Sequence, residues 1–186
     1  MVTGPSGAGK GTLIRRLVEK RPDLEVAVSA TTRRRREGET GGRHYHFLSE
    51  EEFDERVAAG EFLEHVVFVS GHRYGTLNSE VEHILDSGRS CILELETEGA
   101  RRVKELRPDA LTIFVEPPSF DELERRLRAR ATESAGEISE RLELARRQTL
   151  EKDGFDHVVV NDDLERAVAE VEALVGAARV GTSPTA

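Results

Sequence analysis

At 186 residues, 37% of them hydrophobic and 34% charged, the chain is long enough to bury one substantial core and short for two. A formal charge of −9 opposes any general affinity for nucleic acid or an anionic membrane, so a basic site must be local. Cys91 is the single cysteine, which excludes an internal disulfide and a thiolate metal cluster, and no run nears the roughly 20 apolar residues of a membrane span; with no charged-then-apolar leader, a cytoplasmic protein is expected.

Only Met1, Val2 and Thr3 precede the first motif, where a buried strand should launch it. Two readings stay open: a start upstream of Met1, or a strand reduced to a stub. The motif is Gly4-Pro5-Ser6-Gly7-Ala8-Gly9-Lys10-Gly11-Thr12, followed by the amphipathic run Leu13-Ile14-Arg15-Arg16-Leu17-Val18. Its glycines let the chain wrap an anion closely. Backbone N–H groups, the positive end of the following helix and the Lys10 ammonium converge on one point, which suits the β- and γ-phosphates of a nucleotide. The strict pattern sets Ser or Thr directly after the lysine to hold Mg²⁺; here Gly11 stands there and Thr12 becomes the metal-ligand candidate.

Residues 25–29 read as a strand, and the run 33–43 then carries five arginines against two glutamates. Alone it reads as a solvated basic loop or a nucleic-acid patch. His44 and His46 flank Tyr45 at the spacing of one strand face and, lacking a third ligand, are expected to serve the loop rather than a metal. Ser49 with Glu52 fits a capping box and fixes a helix start. From Phe62 to Tyr74, β-rich text broken by Ser70-Gly71 predicts a hairpin or small antiparallel patch. Leu77, Val81, Ile84 and Leu85 form a helical stripe.

Residues 91–95 read as a strand in which Cys91 is a small buried hydrophobe. Glu94 and Glu96 stand at its end, where α/β sheets gather their ligands. A further strand is expected over 110–115, a second capping box at Ser119 and Glu122, and a movable flap at the helix break over 131–136. The last strand is expected over His157–Val160, before a stripe of Leu164, Val168, Val171, Leu174 and Val175 and a loose tail from 180.

These motifs, with Ser29-Ala30-Thr31-Thr32-Arg33, Arg36-Glu37-Gly38-Glu39, Tyr45-His46-Phe47, Glu61-Phe62-Leu63-Glu64, Tyr74-Gly75-Thr76, Arg130-Ala131-Thr132-Glu133-Ser134 and Val160-Asn161-Asp162-Asp163, resemble guanylate kinase over nearly the whole chain. The resemblance implies that Arg33, Arg36, Tyr45 and Tyr74 hold the phosphate of GMP while Ser29, Glu64 and Thr76 face its guanine. It implies that Arg130 and Arg141 close over the triphosphate of ATP and that Asn161 lies near the adenine. Glu96 and Glu98 stand where the family usually has Asp and Gln ahead of Gly99, and Glu94 and Glu96 are carried to the substrate side.

The chemistry agrees with these roles. Guanidinium forks grip phosphate oxygens in paired charge-assisted hydrogen bonds, and tyrosine hydroxyls add neutral donors. Guanine offers N–H donors at N1 and N2 beside its O6 acceptor, which match a carboxylate beside a hydroxyl. Adenine lacks the N1 proton and would leave a buried carboxylate unpaired, a mismatch worth roughly 10⁴-fold in comparable sites.

The expected architecture is therefore α/β, a parallel sheet flanked by helices of the P-loop kinase kind, with a small mixed α/β GMP-binding insertion and a helical lid. It is one domain over 1–180, with core 1–32, 77–130 and 150–180, GMP-binding region 33–76 and lid 131–149, before a tail 181–186. The implied activity is ATP-dependent phosphorylation of GMP to GDP by in-line transfer with Mg²⁺, in a monomer or homo-oligomer. Two rivals stand beside it. A phosphopeptide-binding module without turnover would have no use for Lys10 and the lid arginines; a kinase of another small phosphate ester would have none for Glu64 and Thr76.

Overall fold

The computed structural model describes residues 1–68, 70–129 and 135–181. In chain order its elements are β1 (Val2–Thr3), α1 (Lys10–Lys20), β2 (Leu24–Val26), β3 (Ala30–Thr31), β4 (His46–Phe47), α2 (Glu50–Ala58), β5 (Phe62–Val67), β6 (Arg73–Leu77) and α3 (Asn78–Asp86). They continue as β7 (Ser90–Ile92), α4 (Thr97–Leu106), β8 (Ile113–Glu116), α5 (Phe120–Ala129), α6 (Ala135–Leu150), a short 3₁₀ turn at Lys152–Gly154, β9 (His157–Val160) and α7 (Leu164–Gly181). The chain divides into two compact units, Met1–Pro22 with Asp109–Ala186, and Asp23–Pro108.

In the first unit β1, β8 and β9 form a parallel sheet in that order, with Val2 opposite Ile113 and Phe114 opposite Val158. Val2, Ile113, Phe114, Val115 and Val159 are all buried, as expected of a parallel sheet covered on both faces. The stub Val2–Thr3 thus pairs as a strand, and the Met1 carbonyl accepts the Ile113 N–H at 2.9 Å. The strand expected from 110 begins at Ile113, because Thr112 is drawn aside: its N–H and hydroxyl both donate to the Asp156 carboxylate at 2.8 Å.

Helices α1 and α7 pack together, α7 burying Ala167, Val168 and Val171, while Arg16 and Lys20 meet Glu165 at 2.7 Å on the exposed rim. Leu123 and Leu127 of α5 pack on Ala145 of α6. The Ser119 hydroxyl accepts the Glu122 N–H at 3.1 Å, but the Glu122 carboxylate turns to Arg125 and Arg126, so the second capping box is half formed. Helix α7 runs to Gly181, past the start of the expected tail at 180.

In the second unit β2 and β7 pair in parallel, and β4-β3-β6-β5 form a mixed sheet whose β5–β6 limb is the expected antiparallel hairpin. The strand expected over 25–29 is divided. Ala27 donates its last ladder bond to Ile92 at 3.0 Å, and the chain then leaves β7 to enter the other sheet at Ala30. The strand expected over 91–95 stops at Ile92; Leu93 and Leu95 are buried without ladder pairing.

Ser49 and Glu52 form the full capping box of α2, whose Phe53 is buried against Phe62 at a ring separation of 4.4 Å. Of the α3 stripe, Leu77 and Ile84 are buried, whereas Leu85 is 54% exposed: it follows Ile84 directly, about 100° further round the helix, and so turns off the packed face. Among the described residues no helix is long and apolar enough to cross a membrane. Arg130, the flap residues 131–134 and the tail residues 182–186 lie outside the described residues.

Candidate active site

The first unit builds an anion loop from the end of β1. Gly4 sits at φ 132°, and a Cβ there would overlap the Val115 carbonyl, so no other residue fits. Gly9, at φ 89°, starts α1 without a capping side chain, and the first turn carries no acid. The first-turn amides and the positive helix end are thereby left for an incoming anion. Lys10 is buried to 9% exposure, its ammonium donating to the carbonyls of Gly4 at 2.6 Å and Pro5 at 3.1 Å. It is poised across the loop rather than extended into solvent.

Three further side chains converge on this loop. Arg141 of α6 donates to the Ser6 hydroxyl at 2.7 Å. Asn161, expected near an adenine, is buried and uses its amide to hold the Ala8 carbonyl at 2.8 Å. Arg126, which the sequence reading did not single out, donates to the Asn161 carbonyl at 3.2 Å and to that of Ala8 at 3.5 Å, steadied by Glu122 at 2.8 Å. Its signal was present as the four-residue spacing from Glu122 on one helix face, indistinguishable in text from an ordinary surface pair.

Thr12 lies exposed on the first turn of α1, and the described residues contain no group of three or more His, Cys, Asp or Glu able to hold a metal. Such a loop, with hydroxyls and no carboxylate cage, fits an ion that keeps its waters and takes most of its protein-side anchoring through substrate phosphates, as Mg²⁺ does.

The second unit gathers Arg33, Tyr45 and Tyr74. The Arg33 guanidinium lies 5.4 Å from the Tyr45 ring centre and 5.8 Å from that of Phe47, and the Tyr45 and Tyr74 rings meet edge-on at 6.0 Å. Strand pairing explains the convergence. β3 runs between β4 and β6, with Thr31 opposite both Phe47 and Tyr74, so the residues beside these positions crowd together. Burial pushes the Tyr45 phenol up to about 12, with Glu94 adding to the shift, so it stays a neutral O–H donor.

Glu39 completes this cluster, and sequence reading missed its role. Its carboxylate takes the Arg33 fork in two bonds of 3.1 and 2.7 Å and accepts the Arg36 N–H at 2.7 Å. Hydrogen bonding to Arg33 holds the Glu39 carboxyl below its usual range. Text showed only an excess of arginine; which glutamate closes back on which arginine depends on loop geometry without a period. Arg36 is exposed and joins the cluster through its backbone.

On the hairpin, Glu64 lies opposite Thr76 in the strand register. Glu64 is 6% exposed, and the Thr76 hydroxyl donates to its Oε1 at 2.9 Å. Burial pushes the Glu64 carboxyl up to about 7 against the opposing effect of the Thr76 bonds, and Glu96, the N-cap residue of α4, raises it further. Ser29, half-buried, lends its carbonyl to His46 N–H at 2.9 Å, while Glu94 is exposed. His46, in β4, is turned to Glu80 of α3 at 2.7 Å, whereas His44 accepts the Thr40 N–H within the loop at 2.9 Å.

The guanylate kinase family model matches residues 1–178. A guanylate kinase of Prochlorococcus marinus is 49% identical over 176 residues, covering 95% of this chain and 93% of its own. One from Rubrobacter xylanophilus is 49% identical over 184 residues, covering 99% and 96%. Among solved structures, the crystal structure of guanylate kinase from Anaplasma phagocytophilum aligns with a TM-score of 0.78 at 30% identity, covering 95% of this chain and 82% of that one. A family match over residues 1–178, with relatives 49% identical along almost the full length, shows the family: the chain belongs to the guanylate kinase family.

Proposed function

We propose that the protein transfers the γ-phosphoryl group of ATP to GMP, giving GDP and ADP. The observation that carries the reading is the buried Glu64 carboxylate held by Thr76, an acceptor with a neighbouring hydroxyl that matches the N–H edge of guanine. Neither a phosphopeptide nor a sugar phosphate would use it.

In this reading residues 4–12 cradle the ATP phosphates, and Asn161 and Arg126 keep that loop in shape. Arg33, Arg36, Tyr45 and Tyr74 hold the GMP phosphate; Ser29, Glu64 and Thr76 face the base; Glu94 and Glu96 orient the nucleoside. Residues 33–76 serve as the GMP-binding region and 131–149 as a lid within a domain over 1–180. The acceptor phosphate is already largely ionised near neutral pH, so no general base is required, and the work is positioning and charge stabilisation. Lys10, Arg130 and Arg141 supply positive charge where it develops on the transferring group. Thr12 would be the protein donor to Mg²⁺, which would supply charge neutralisation to the nucleotide phosphates when bound.

The test is a panel of GMP, dGMP, AMP, UMP and CMP with Mg-ATP, read as nucleoside diphosphate formed. GMP is expected to be turned over far ahead of AMP, UMP and CMP, and Lys10→Ala to lower kcat by roughly 10²-fold or more. Equal use of AMP, or full activity in Lys10→Ala, would remove the reading.

A further inference from the structure

Gly99 stands on the first turn of α4, buried, and its φ lies outside the left-handed range that favours glycine. Glycine weakens a helix relative to alanine, and the backbone here gives no reason for it. Space gives the reason. A Cβ built at Gly99 would lie 2.6 Å from Glu64 Oε2 and 3.2 Å from its Cδ, and the three nearest atoms it meets all belong to Glu64. A flexible side chain ordinarily escapes such a clash by swinging aside. Glu64 is held from the other direction, Oε1 accepting from Thr76 at 2.9 Å across the paired strands, so swinging aside means giving up that bond.

We propose that Gly99 is a positioning residue for guanine selection: its missing side chain reserves the space in which Thr76 holds the Glu64 carboxylate for the base. The proposal rests on the reading of Glu64 as the acceptor of guanine N–H groups. The adjacent acid Glu98 does not share the role, since it is exposed and engaged with Arg102.

The experiment compares kcat/KM for GMP, for IMP, which lacks the exocyclic amine, and for AMP, together with KM for ATP. Gly99→Ala is expected to lower kcat/KM for GMP by roughly 10- to 100-fold, mainly through KM, with ATP KM within about 2-fold, and to narrow the GMP:IMP ratio. Glu64→Asp, shorter by one methylene, made in the Gly99→Ala background should recover part of that ratio relative to Gly99→Ala alone. A packing role would depress GMP and IMP alike and leave the ratio standing.

If Glu64→Gln collapses the GMP:IMP ratio while Gly99→Ala preserves it, the proposal fails alone. If Glu64→Gln preserves the ratio, the base-recognition reading fails and the proposal with it. Should Gly99→Ala not fold, the double variant relieves the clash and must fold with partial selectivity; failure there equally overturns the proposal.

Discussion

The Arg141 guanidinium on α6 rests on the Ser6 hydroxyl of the anion loop, Nη2 to Oγ at 2.7 Å. The charge proposed to act on the transferring phosphoryl group is thus parked beside the loop proposed to hold the donor.

Arg141→Ala is expected to lower kcat by roughly 10²- to 10³-fold, the scale of losing one transition-state donor, with KM for GMP little changed. Ser6→Ala, which removes only the resting partner, should leave kcat within about 5-fold on the same scale of effects. Steady-state kinetics of the two variants side by side check this. Equal losses would mean that the pair acts as a structural tie.

Asn161 carries a second prediction. Its amide holds the Ala8 carbonyl at 2.8 Å, and at Gly9 a Cβ would come within 2.5 Å of that same nitrogen. Asn161→Ala should cost about 1 kcal/mol of stability, a Tm drop of ~2–4 °C, and raise KM for ATP while sparing KM for GMP. Gly9→Ala should do more damage, since it adds that clash to a backbone at φ 89°. Thermal melts and separate titrations of the two nucleotides are the measurements; a rise confined to GMP would contradict the assignment of the loop.

A third prediction concerns pH. The folded Glu64 carboxyl titrates near 7, above its ordinary 4.5, because it is buried. The folded apo protein therefore binds a proton that the unfolded chain has released. The resulting stability is fully present below about pH 4.5 and is lost as pH rises through about 7. Guanine N–H donors favour the ionised carboxylate, so GMP binding should strengthen across that window and expel the proton. Near pH 7, calorimetric titrations in two buffers of different ionisation enthalpy should show wild type releasing roughly half a proton more than Glu64→Gln. The variant subtracts the titration of the GMP phosphate itself; identical release in both would sink the prediction.

The text showed β9, the β5–β6 hairpin and the α2 capping box because each is a local pattern: consecutive valines, two β-rich runs about Ser70-Gly71, and Ser49 three residues before Glu52. It misplaced boundaries where apolar residues report burial rather than pairing, as at Leu93 and Leu95, which are buried beyond the end of β7. It also ran one strand through Val28, where the chain changes sheets, since alternation of residues does not say which partner a strand will meet. Within the candidate site, the residues with distinctive chemistry were legible: Lys10, Arg33, Tyr45, Glu64. Arg126, Glu39 and Gly99 were not, because each acts by reaching a residue already recognised, and reach is a property of three-dimensional placement.

The Arg33–Glu39 fork fixes the Arg33 side chain within the folded protein itself. Arginine loses about 2 kcal/mol of rotamer freedom when its side chain is fixed, and here much of that loss is met during folding, by two bonds to a carboxylate and by the Tyr45 and Phe47 rings. In the proposed role of Arg33, an arriving anion would meet a planar receptor already aimed. It has only to trade places with, or sit beside, a resident carboxylate. On that proposal Glu39 is a template that keeps the receptor shaped between visits, and recognition would be preorganised rather than assembled on contact.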